Sequence, residues 1–219
     1  MQPEKSVIID LRFPAEEIEN ALASSFPGRN IINLSDETTR GLDLSRIDYA
    51  VVWKPQADLF SRATGLKVVF SGGAGVDHIL TLPGLPDLPL VRFVDRSLTT
   101  RMSEWVVMQC LMHLRQTVAY DENRASKIWK ELSQPEARDV TVGIMGLGVL
   151  GQDAAEKLRH IGFHVIGWSR TPKHIAGVQT FSAGDLDVFL GQTDILVGLL
   201  PLTAETTGLF NMALFQKLR

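Results

Sequence analysis

A glycine-rich turn in the middle of the chain limits the fold more than any other feature. Residues 139–152, "DVTVGIMGLGVLGQ", contain Gly146, Gly148 and Gly151 in a G-x-G-x-x-G arrangement. An apolar run before the glycines predicts a strand, and "QDAAEKLRHIGF" after them predicts a helix that Gly162 ends. Since a second strand, "HVIGW", follows, the sequence predicts a βαβ unit whose turn lets the backbone approach the pyrophosphate of a dinucleotide.

The first turn of the predicted helix supplies the chemistry of this site. A helix N-terminus presents unpaired N–H groups and the positive end of the helix dipole, and both favour a pyrophosphate. The residues expected to bind the cofactor here are Gly146, Leu147, Gly148, Val149, Leu150 and Gly151. The alternative is a tight turn that only packs the helix against the strand.

The end of the second strand indicates which dinucleotide is bound. Sites that prefer NAD place an Asp or Glu about 20 residues after the turn, where this chain has Ser169 in "WSRTPKH". Arg170 offers a planar fork to a 2′-phosphate, Lys173 adds a point charge, and Thr171 lies between them. One charge-assisted hydrogen bond contributes about 1.5–3 kcal/mol, or roughly ten- to a hundredfold in affinity. We therefore expect NADPH to be preferred over NADH, the alternative being a solvated basic turn.

A third apolar segment completes the predicted cofactor site. Residues 193–210, "TDILVGLLPLTAETTGLF", predict a buried strand over residues 195–200. In a doubly wound sheet this strand lies across the switch point from the glycine turn, so its C-terminal loop faces the cofactor. We expect Leu200, Pro201 and Thr203 to line the adenine side, and "AETT" to start another helix.

The chain before the glycine turn predicts a separate α/β domain. Buried strands are predicted at residues 6–11, 30–34, 49–53, 66–70 and 89–93. One helical face between the first two strands carries Ile18, Ala21, Leu22 and Phe26. Alternating strands and helices imply a parallel sheet with right-handed crossovers.

An apolar helix and a polar segment connect the two predicted domains. Residues 99–116 predict a helix that is apolar on nearly every side, and therefore buried in a core or between domains. Residues 117–139 are polar apart from Tyr120 and Trp129, and large aromatic side chains on a polar arm suggest a partner surface. The first domain is expected at residues 1–102 and the second at residues 103–219.

Charge and cysteine content exclude several classes of protein. The net charge is −3, which gives no electrostatic footprint for nucleic acid or for anionic lipid. Cys110 is the single cysteine, so we expect no internal disulfide, no metal cluster and a reducing, cytoplasmic location. No apolar stretch has the length of a membrane span, and residues 1–5 lack the features of a signal peptide.

Several motifs, taken in order, resemble the D-2-hydroxyacid dehydrogenases, in particular their glyoxylate and hydroxypyruvate reductases. They are "SGGAGVD", "MSEWVV", "GIMGLGVLG", "WSRTPK" and "LLPLTAETTGLFN", and the similarity runs from about residue 49 to the last residue. The resemblance implies an α/β protein with two doubly wound parallel-sheet domains. A flavodoxin-like substrate domain comes first and is interrupted by a Rossmann cofactor domain, which explains why the glycine turn comes late.

The resemblance also gives the turn "SGGAGVD" a role. A glycine-rich turn after a strand exposes backbone amides that suit an anion, and in the family the matching turn holds the substrate carboxylate. The amides of Ala74 and Gly75 are implied for this role, Trp53 is expected to wall the same pocket, and Met102 matches a position near the nicotinamide. The alternative is a structural turn in which Asp77 caps a helix. His78 is interpreted as a loop residue.

The reaction implied by the resemblance is the NADPH-dependent reduction of glyoxylate, hydroxypyruvate or a similar small 2-oxo acid, by a homodimer that pairs through an arm such as residues 117–139. The family's catalytic Arg, Glu and His follow "FQKLR", the segment that ends this chain at Arg219. We therefore expect no catalytic residue in this chain, a truncated second domain, and strand 195–200 uncovered at a sheet edge. The alternatives are a catalytically inactive nucleotide-binding or regulatory module and, less favoured, a β-hydroxyacid dehydrogenase.

Overall fold

The computed structural model describes residues 6–13, 16–39 and 41–219. The chain forms two compact units that follow one another in sequence, with the division between Asp95 and Arg96. Each unit contains a parallel sheet with helices, which confirms the predicted α/β fold class. The expected domain limits, at residues 102 and 103, fall inside a helix of the second unit and stay a prediction.

Five parallel strands build the sheet of the first unit. They are β1 (Ser6–Leu11), β2 (Asn30–Asn33), β3 (Tyr49–Trp53), β4 (Val68–Ser71) and β5 (Leu90–Val91). They pair in the order β2-β1-β3-β4-β5, the flavodoxin-like arrangement. All five strands lie where apolar runs predict them, although β4 begins at Val68 rather than at residue 66 and β5 is only 2 residues long.

Both faces of this sheet are covered, as expected for parallel strands. Its helices are α1 (Glu16–Ser25), α2 (Leu59–Arg62) and α3 (Asp77–Leu80). On one face Ile9 and Leu11 of β1 pack against Ile18 and Leu22 of α1, as the helical periodicity predicts. Phe26, predicted on the same helical face, is exposed because α1 ends one residue before it.

Four parallel strands build the sheet of the second unit. They are β6 (Thr141–Met145), β7 (His164–Trp168), β8 (Gln179–Phe181) and β9 (Ile195–Gly198), in the order β8-β7-β6-β9. The helices are α4 (Arg96–Leu114), α5 (Thr117–Ala125), α6 (Val149–Ile161), α7 (Leu186–Leu190) and α8 (Met212–Phe215). The predicted βαβ unit is confirmed as β6-α6-β7. The order places β6 between β7 and β9, so the loops after these two strands flank the glycine turn.

Helix α4 is buried on one side only, which corrects the prediction of burial on nearly every side. Its buried residues recur every three or four positions and are Ser103, Val106, Cys110 and Leu114. Three of its large apolar residues are exposed, namely Trp105, Met108 and Met112. The apolar composition therefore reflects two surfaces, of which the second unit itself covers only one.

The segment "AETT" forms a turn, which corrects the prediction that it starts a helix. Thr206 Oγ1 donates to the Pro201 carbonyl at 2.6 Å and Thr207 Oγ1 to the Thr203 carbonyl at 2.7 Å. These side-chain hydrogen bonds close a compact turn, and the next helix begins only at Met212. Strand β9 lies at the end of the four-stranded order, with β6 as its neighbour in the described sheet.

Within residues 6–13, 16–39 and 41–219, no helix combines the length and the apolar character that crossing a bilayer requires.

Candidate cofactor and substrate sites

Two of the three glycines of the turn are required by the fold, and the third borders open space. Gly146 has a φ of +106°, and a Cβ atom there would lie 2.6 Å from the carbonyl oxygen of Leu199. A Cβ atom on Gly151 would lie under 3.0 Å from the Gly146 carbonyl oxygen, so only glycine lets α6 approach β6 this closely. A Cβ atom on Gly148 would meet no atom within 4 Å. The space beside Gly148 is therefore open, as a turn that holds a dinucleotide requires.

Backbone amides border this open space. Helix α6 begins at Val149, and in the described part of the chain the N–H groups of Leu147, Gly148, Val149 and Leu150 donate no hydrogen bond. The Leu147 side chain is buried over Gly167, so Leu147 reaches the site through its backbone alone. The first turn of α6 contains no acidic residue that would neutralise the positive end of the helix dipole. The turn therefore has free N–H donors, from which an anion could accept hydrogen bonds, and a positive helix end.

The loop after β7 contains the residues predicted to select the cofactor. Ser169 is buried, and its hydroxyl donates to the Thr171 carbonyl at 2.6 Å. Thr180 Oγ1 donates to the Lys173 carbonyl at 2.6 Å and fixes the other end of the loop. Arg170, Thr171 and Lys173 are exposed. The loop therefore presents its basic side chains to solvent, while Ser169 shapes the backbone.

A carboxylate that sequence reasoning missed lies beside this loop. Glu205, in the turn after β9, accepts a hydrogen bond from Arg170, with 2.6 Å between Arg170 Nη1 and Glu205 Oε2. The sequence has no Asp or Glu at the end of β7, and Glu205 reaches this loop from the turn after β9 instead. The sequence alone offers no signal for this pair, because its members are 35 residues apart and lie on different strand ends.

The loop after β9 lies beside the glycine turn in space. The Leu199 N–H donates to the Met145 carbonyl at 2.8 Å, next to Gly146. Of the three residues predicted on the adenine side, Leu200 is half-buried against the core, whereas Pro201 and Thr203 are exposed. The structure thus brings this loop and the glycine turn together at one sheet edge.

Met102 lies on α4, next to a polar cluster that joins two helices of the second unit. The neighbouring Ser103 is buried and its hydroxyl donates to the Asp153 carboxylate of α6, which also pairs with Lys157 at 2.6 Å. The Met102 side chain is half-buried. Helix α4 is therefore held against the cofactor helix α6 one residue away from Met102.

In the first unit, the glycine-rich turn predicted to hold the substrate carboxylate follows β4. The buried Ser71 hydroxyl lies 2.9 Å from the Gly73 carbonyl oxygen and 3.1 Å from that of Gly75, so both carbonyls face inward. In the residues described here, the Ala74 and Gly75 amides donate no hydrogen bond. Asp77 is the first residue of α3 rather than its N-cap, which argues against the structural alternative. The turn therefore offers two amides to an anion.

Trp53 and His78 border this turn. A Cβ atom on Gly73 would lie under 3.0 Å from the Trp53 indole, and the Trp53 and His78 ring centroids are 4.3 Å apart. Burial lowers the pKa of His78, Asp77 opposes this shift and Lys54 adds to it, so the imidazole is neutral at pH 7. His78 Nε2 is buried and has no hydrogen-bond partner among the described residues. His78 is thus part of the wall beside Trp53, although the sequence suggests only a loop residue.

Comparisons with known proteins agree with this geometry. The family model for the D-isomer specific 2-hydroxyacid dehydrogenase, NAD binding domain, matches residues 107–219. Glyoxylate/hydroxypyruvate reductase A of Yersinia enterocolitica is 39% identical over 215 residues, which cover 94% of this chain and 66% of that protein. The Citrobacter koseri protein of the same name is 41% identical and is covered to 64%. The chain thus spans slightly less than two thirds of the length of these curated relatives.

Solved structures show the same relationship. An NADPH-dependent glyoxylate/hydroxypyruvate reductase from Sinorhizobium meliloti, in complex with NADP and sulfate, is 68% identical with a TM-score of 0.91, covering 98% of this chain and 68% of that one. A probable 2-hydroxyacid dehydrogenase from Rhizobium etli, in complex with NADP, HEPES and L(+)-tartaric acid, is 61% identical with a TM-score of 0.90 and the same coverage. The chain therefore belongs to the D-isomer-specific 2-hydroxyacid dehydrogenase family and contains its NAD-binding domain.

Proposed function

We propose that this protein is an NADPH-dependent reductase of glyoxylate, hydroxypyruvate or a similar small 2-oxo acid, which yields the D-2-hydroxy acid. The observation that carries the proposal is the open space beside Gly148, bordered by amides without partners and close to the basic loop of Arg170. The relatives support it, since the Yersinia and Sinorhizobium proteins are named as reductases of these substrates, and the Sinorhizobium and Rhizobium proteins were solved with NADP. When bound, NADPH supplies the hydride that reduces the substrate carbonyl.

Each predicted site residue has a role in this proposal. The amides from Leu147 to Leu150 bind the pyrophosphate, with Gly146 and Gly151 setting their geometry. Arg170 and Lys173 bind the 2′-phosphate, while Ser169 and Thr171 shape the loop between them. Leu200, Pro201 and Thr203 contact the adenine side, and Met102 lies near the nicotinamide. We place this activity in the reducing cytoplasm, where the buried Cys110 stays a thiol.

The substrate carboxylate binds to the turn after β4 in this proposal. A carboxylate accepts hydrogen bonds from the Ala74 and Gly75 amides without displacing any other acceptor of the described chain. The Trp53 indole, held by contact with His78 and Gly73, closes one side of the pocket. Small 2-oxo acids suit this site because their carboxylate can accept hydrogen bonds from the two free amides of the turn.

The cofactor assignment is tested by titrating NADPH and NADH into the 219-residue chain and following nicotinamide fluorescence. NADPH is expected to bind at least tenfold more tightly than NADH, and Arg170→Ala to remove most of this difference. Arg138→Ala is the matched control, because Arg138 is equally exposed and is paired with Glu136 at 2.8 Å. Equal binding of both nucleotides, or equal effects of both substitutions, would contradict the NADPH assignment.

We infer that His160 and His164, two of the four histidines of the second unit, do not protonate the substrate. His160 is exposed near the end of α6, and His164 begins β7, so both lie at the sheet edge opposite the glycine turn. Since the family resemblance implies no catalytic residue in this chain, we expect the 219-residue chain to bind NADPH without oxidising it in the presence of glyoxylate. Oxidation of NADPH in this assay would show that the chain itself contains the acid. An absence of both binding and oxidation would remove the reductase proposal.

We further propose that the protein pairs with a second copy of itself through the surface after α5. Trp129 has a relative accessibility of 102%, and its neighbour Ile128 is also exposed. The segment is ordered against α5, because the Leu132 N–H donates to the Tyr120 hydroxyl at 3.1 Å. Burying one indole removes about 150–250 Å² from water, a driving force on the order of 4–6 kcal/mol at 25 cal/mol per Å².

Sedimentation velocity tests this pairing. The unchanged chain is expected to sediment as a dimer, and Trp129→Ser to shift it toward the monomer. Val188→Ser is the control, since Val188 is a large exposed apolar residue on α7, outside this surface. A monomeric wild-type chain would refute the proposal.

A further inference from the structure

The ion pair between Arg170 and Glu205 connects the two loops that flank the glycine turn. Arg170 follows β7 and Glu205 follows β9, and β6 lies between these strands. The Nη1–Oε2 distance is 2.6 Å, and both side chains remain largely exposed, at 75% and 68%. The hydrogen-bonded turn of Thr203, Thr206 and Thr207 fixes the backbone that carries Glu205. The carboxylate is thus presented to Arg170 from an ordered position.

Arg170 is the group that the proposed function assigns to the 2′-phosphate of NADPH. Carboxylate and phosphate oxygens compete for the same fork of guanidinium N–H groups. A 2′-phosphate must therefore displace Glu205 or accept a carboxylate close by, and both lower the affinity for NADPH. NADH has a 2′-hydroxyl at this position, and a hydroxyl donates to a carboxylate, as in sites that prefer NAD.

We propose that Glu205 is a specificity-determining residue of the cofactor site, an internal anion that occupies Arg170 until a 2′-phosphate replaces it. This inference rests on the proposed NADPH function and extends it. Glu205 weakens the preference for NADPH that Arg170 creates, so NADH remains a usable ligand. The degree of preference is then set by two loops rather than by the end of β7 alone.

The test compares Glu205→Gln with the unchanged 219-residue chain. Removing the competing charge is expected to tighten NADPH binding about two- to fivefold, the range for an exposed ion pair, without tightening NADH binding. Adenosine 2′,5′-bisphosphate and 5′-AMP are used as probes without the nicotinamide and are expected to behave in the same way. Glu136→Gln is the control, because it removes the same charge from a similarly exposed pair with Arg138.

A double-mutant cycle then assigns the effect to the pair. In an Arg170→Ala background, Glu205→Gln is expected to improve NADPH binding less than it does in the unchanged chain. Suppose that the unchanged chain binds NADPH through Arg170 but that Glu205→Gln changes the affinity for neither NADPH nor NADH. The inference about Glu205 is then wrong and the proposed function stands. If the unchanged chain binds neither NADPH nor the bisphosphate, both proposals are overturned.

Discussion

Replacing Gly148 with alanine separates ligand binding from folding at the glycine turn. The added methyl group meets no protein atom within 4 Å, and the φ of −77° at this position suits alanine. Alanine is a poorer N-cap residue than glycine. It also lowers the conformational entropy of the unfolded chain, which stabilises the folded chain by about 0.4–1 kcal/mol. Because these two effects oppose each other, we expect the free energy of unfolding to change by less than about 1 kcal/mol.

The same methyl group occupies the space through which a pyrophosphate would approach the amides. Losing one charge-assisted hydrogen bond costs about 1.5–3 kcal/mol of binding free energy. The dissociation constant of NADPH is therefore expected to rise roughly ten- to a hundredfold. NADH is expected to lose a similar factor, since both nucleotides share the pyrophosphate.

Gly151→Ala, three residues away, is expected to lower the stability of the fold, whereas Gly148→Ala is expected to lower nucleotide binding. Its Cβ atom would lie under 3.0 Å from the Gly146 carbonyl oxygen, a backbone atom that cannot rotate aside. Alanine gains about 1 kcal/mol in helix propensity, whereas overpacking against backbone costs about 1–3 kcal/mol and occasionally more. We expect a net loss of up to about 2 kcal/mol, which lowers the melting temperature by up to roughly 8 °C.

Urea denaturation and nucleotide titration measure the two effects on the same samples. Gly184→Ala is the control, because Gly184 also has open space around a Cβ atom but lies before α7, away from the turn. It is expected to leave nucleotide binding unchanged and to raise the free energy of unfolding by at most about 1 kcal/mol. A folded Gly148→Ala chain that binds NADPH as tightly as the unchanged chain would refute the assignment of this turn to the pyrophosphate.

Three further predictions concern buried groups. Gly73→Ala is expected to displace the Trp53 indole and to destabilise the first unit by about 1–3 kcal/mol, visible as a change in tryptophan fluorescence. Burial raises the pKa of Cys110 to about 11, so the thiol should react with DTNB at pH 8 far more slowly in the folded chain than in urea. Burial also raises the pKa of Asp10, against the hydrogen bond from the Gln56 N–H. A raised folded-state pKa means that the protonated carboxyl contributes stability below about pH 4, and that this contribution is lost as pH rises through the folded pKa. The free energy of unfolding in urea should therefore fall as pH rises through this range, and Asp10→Asn should abolish this pH dependence.

The glycine turn was predictable from sequence because its constraints are local. The positive φ of Gly146 and the helix–strand contact at Gly151 both arise within a segment of a few residues. The parallel sheets were predictable for a related reason, since strands buried on both faces appear as continuous apolar runs. Strand β8 was missed because its three residues, "QTF", form no such run.

The exposed side of α4 was not predictable for a physical reason. Apolar residues on every side of a helix are compatible with burial in a core and equally with a surface that a partner covers. In this chain Ser103 and Cys110 lie on the buried side, whereas Trp105 and Met108 are exposed. The sequence therefore shows that α4 is apolar on most sides, but it does not show which of these sides packs against the rest of the second unit.

The Arg170–Glu205 pair shows why a strand-end rule is incomplete for cofactor choice. The rule predicts the cofactor from the residue at the end of β7, but the Glu205 carboxylate also lies at this position, on the loop after β9. Removing Arg170 alone therefore has two effects, since it deletes a phosphate ligand and also ends the competition of Glu205 for the same guanidinium. Arg170→Ala should consequently weaken NADPH binding, and the smaller benefit of Glu205→Gln in this background measures how much of the Glu205 effect acts through Arg170.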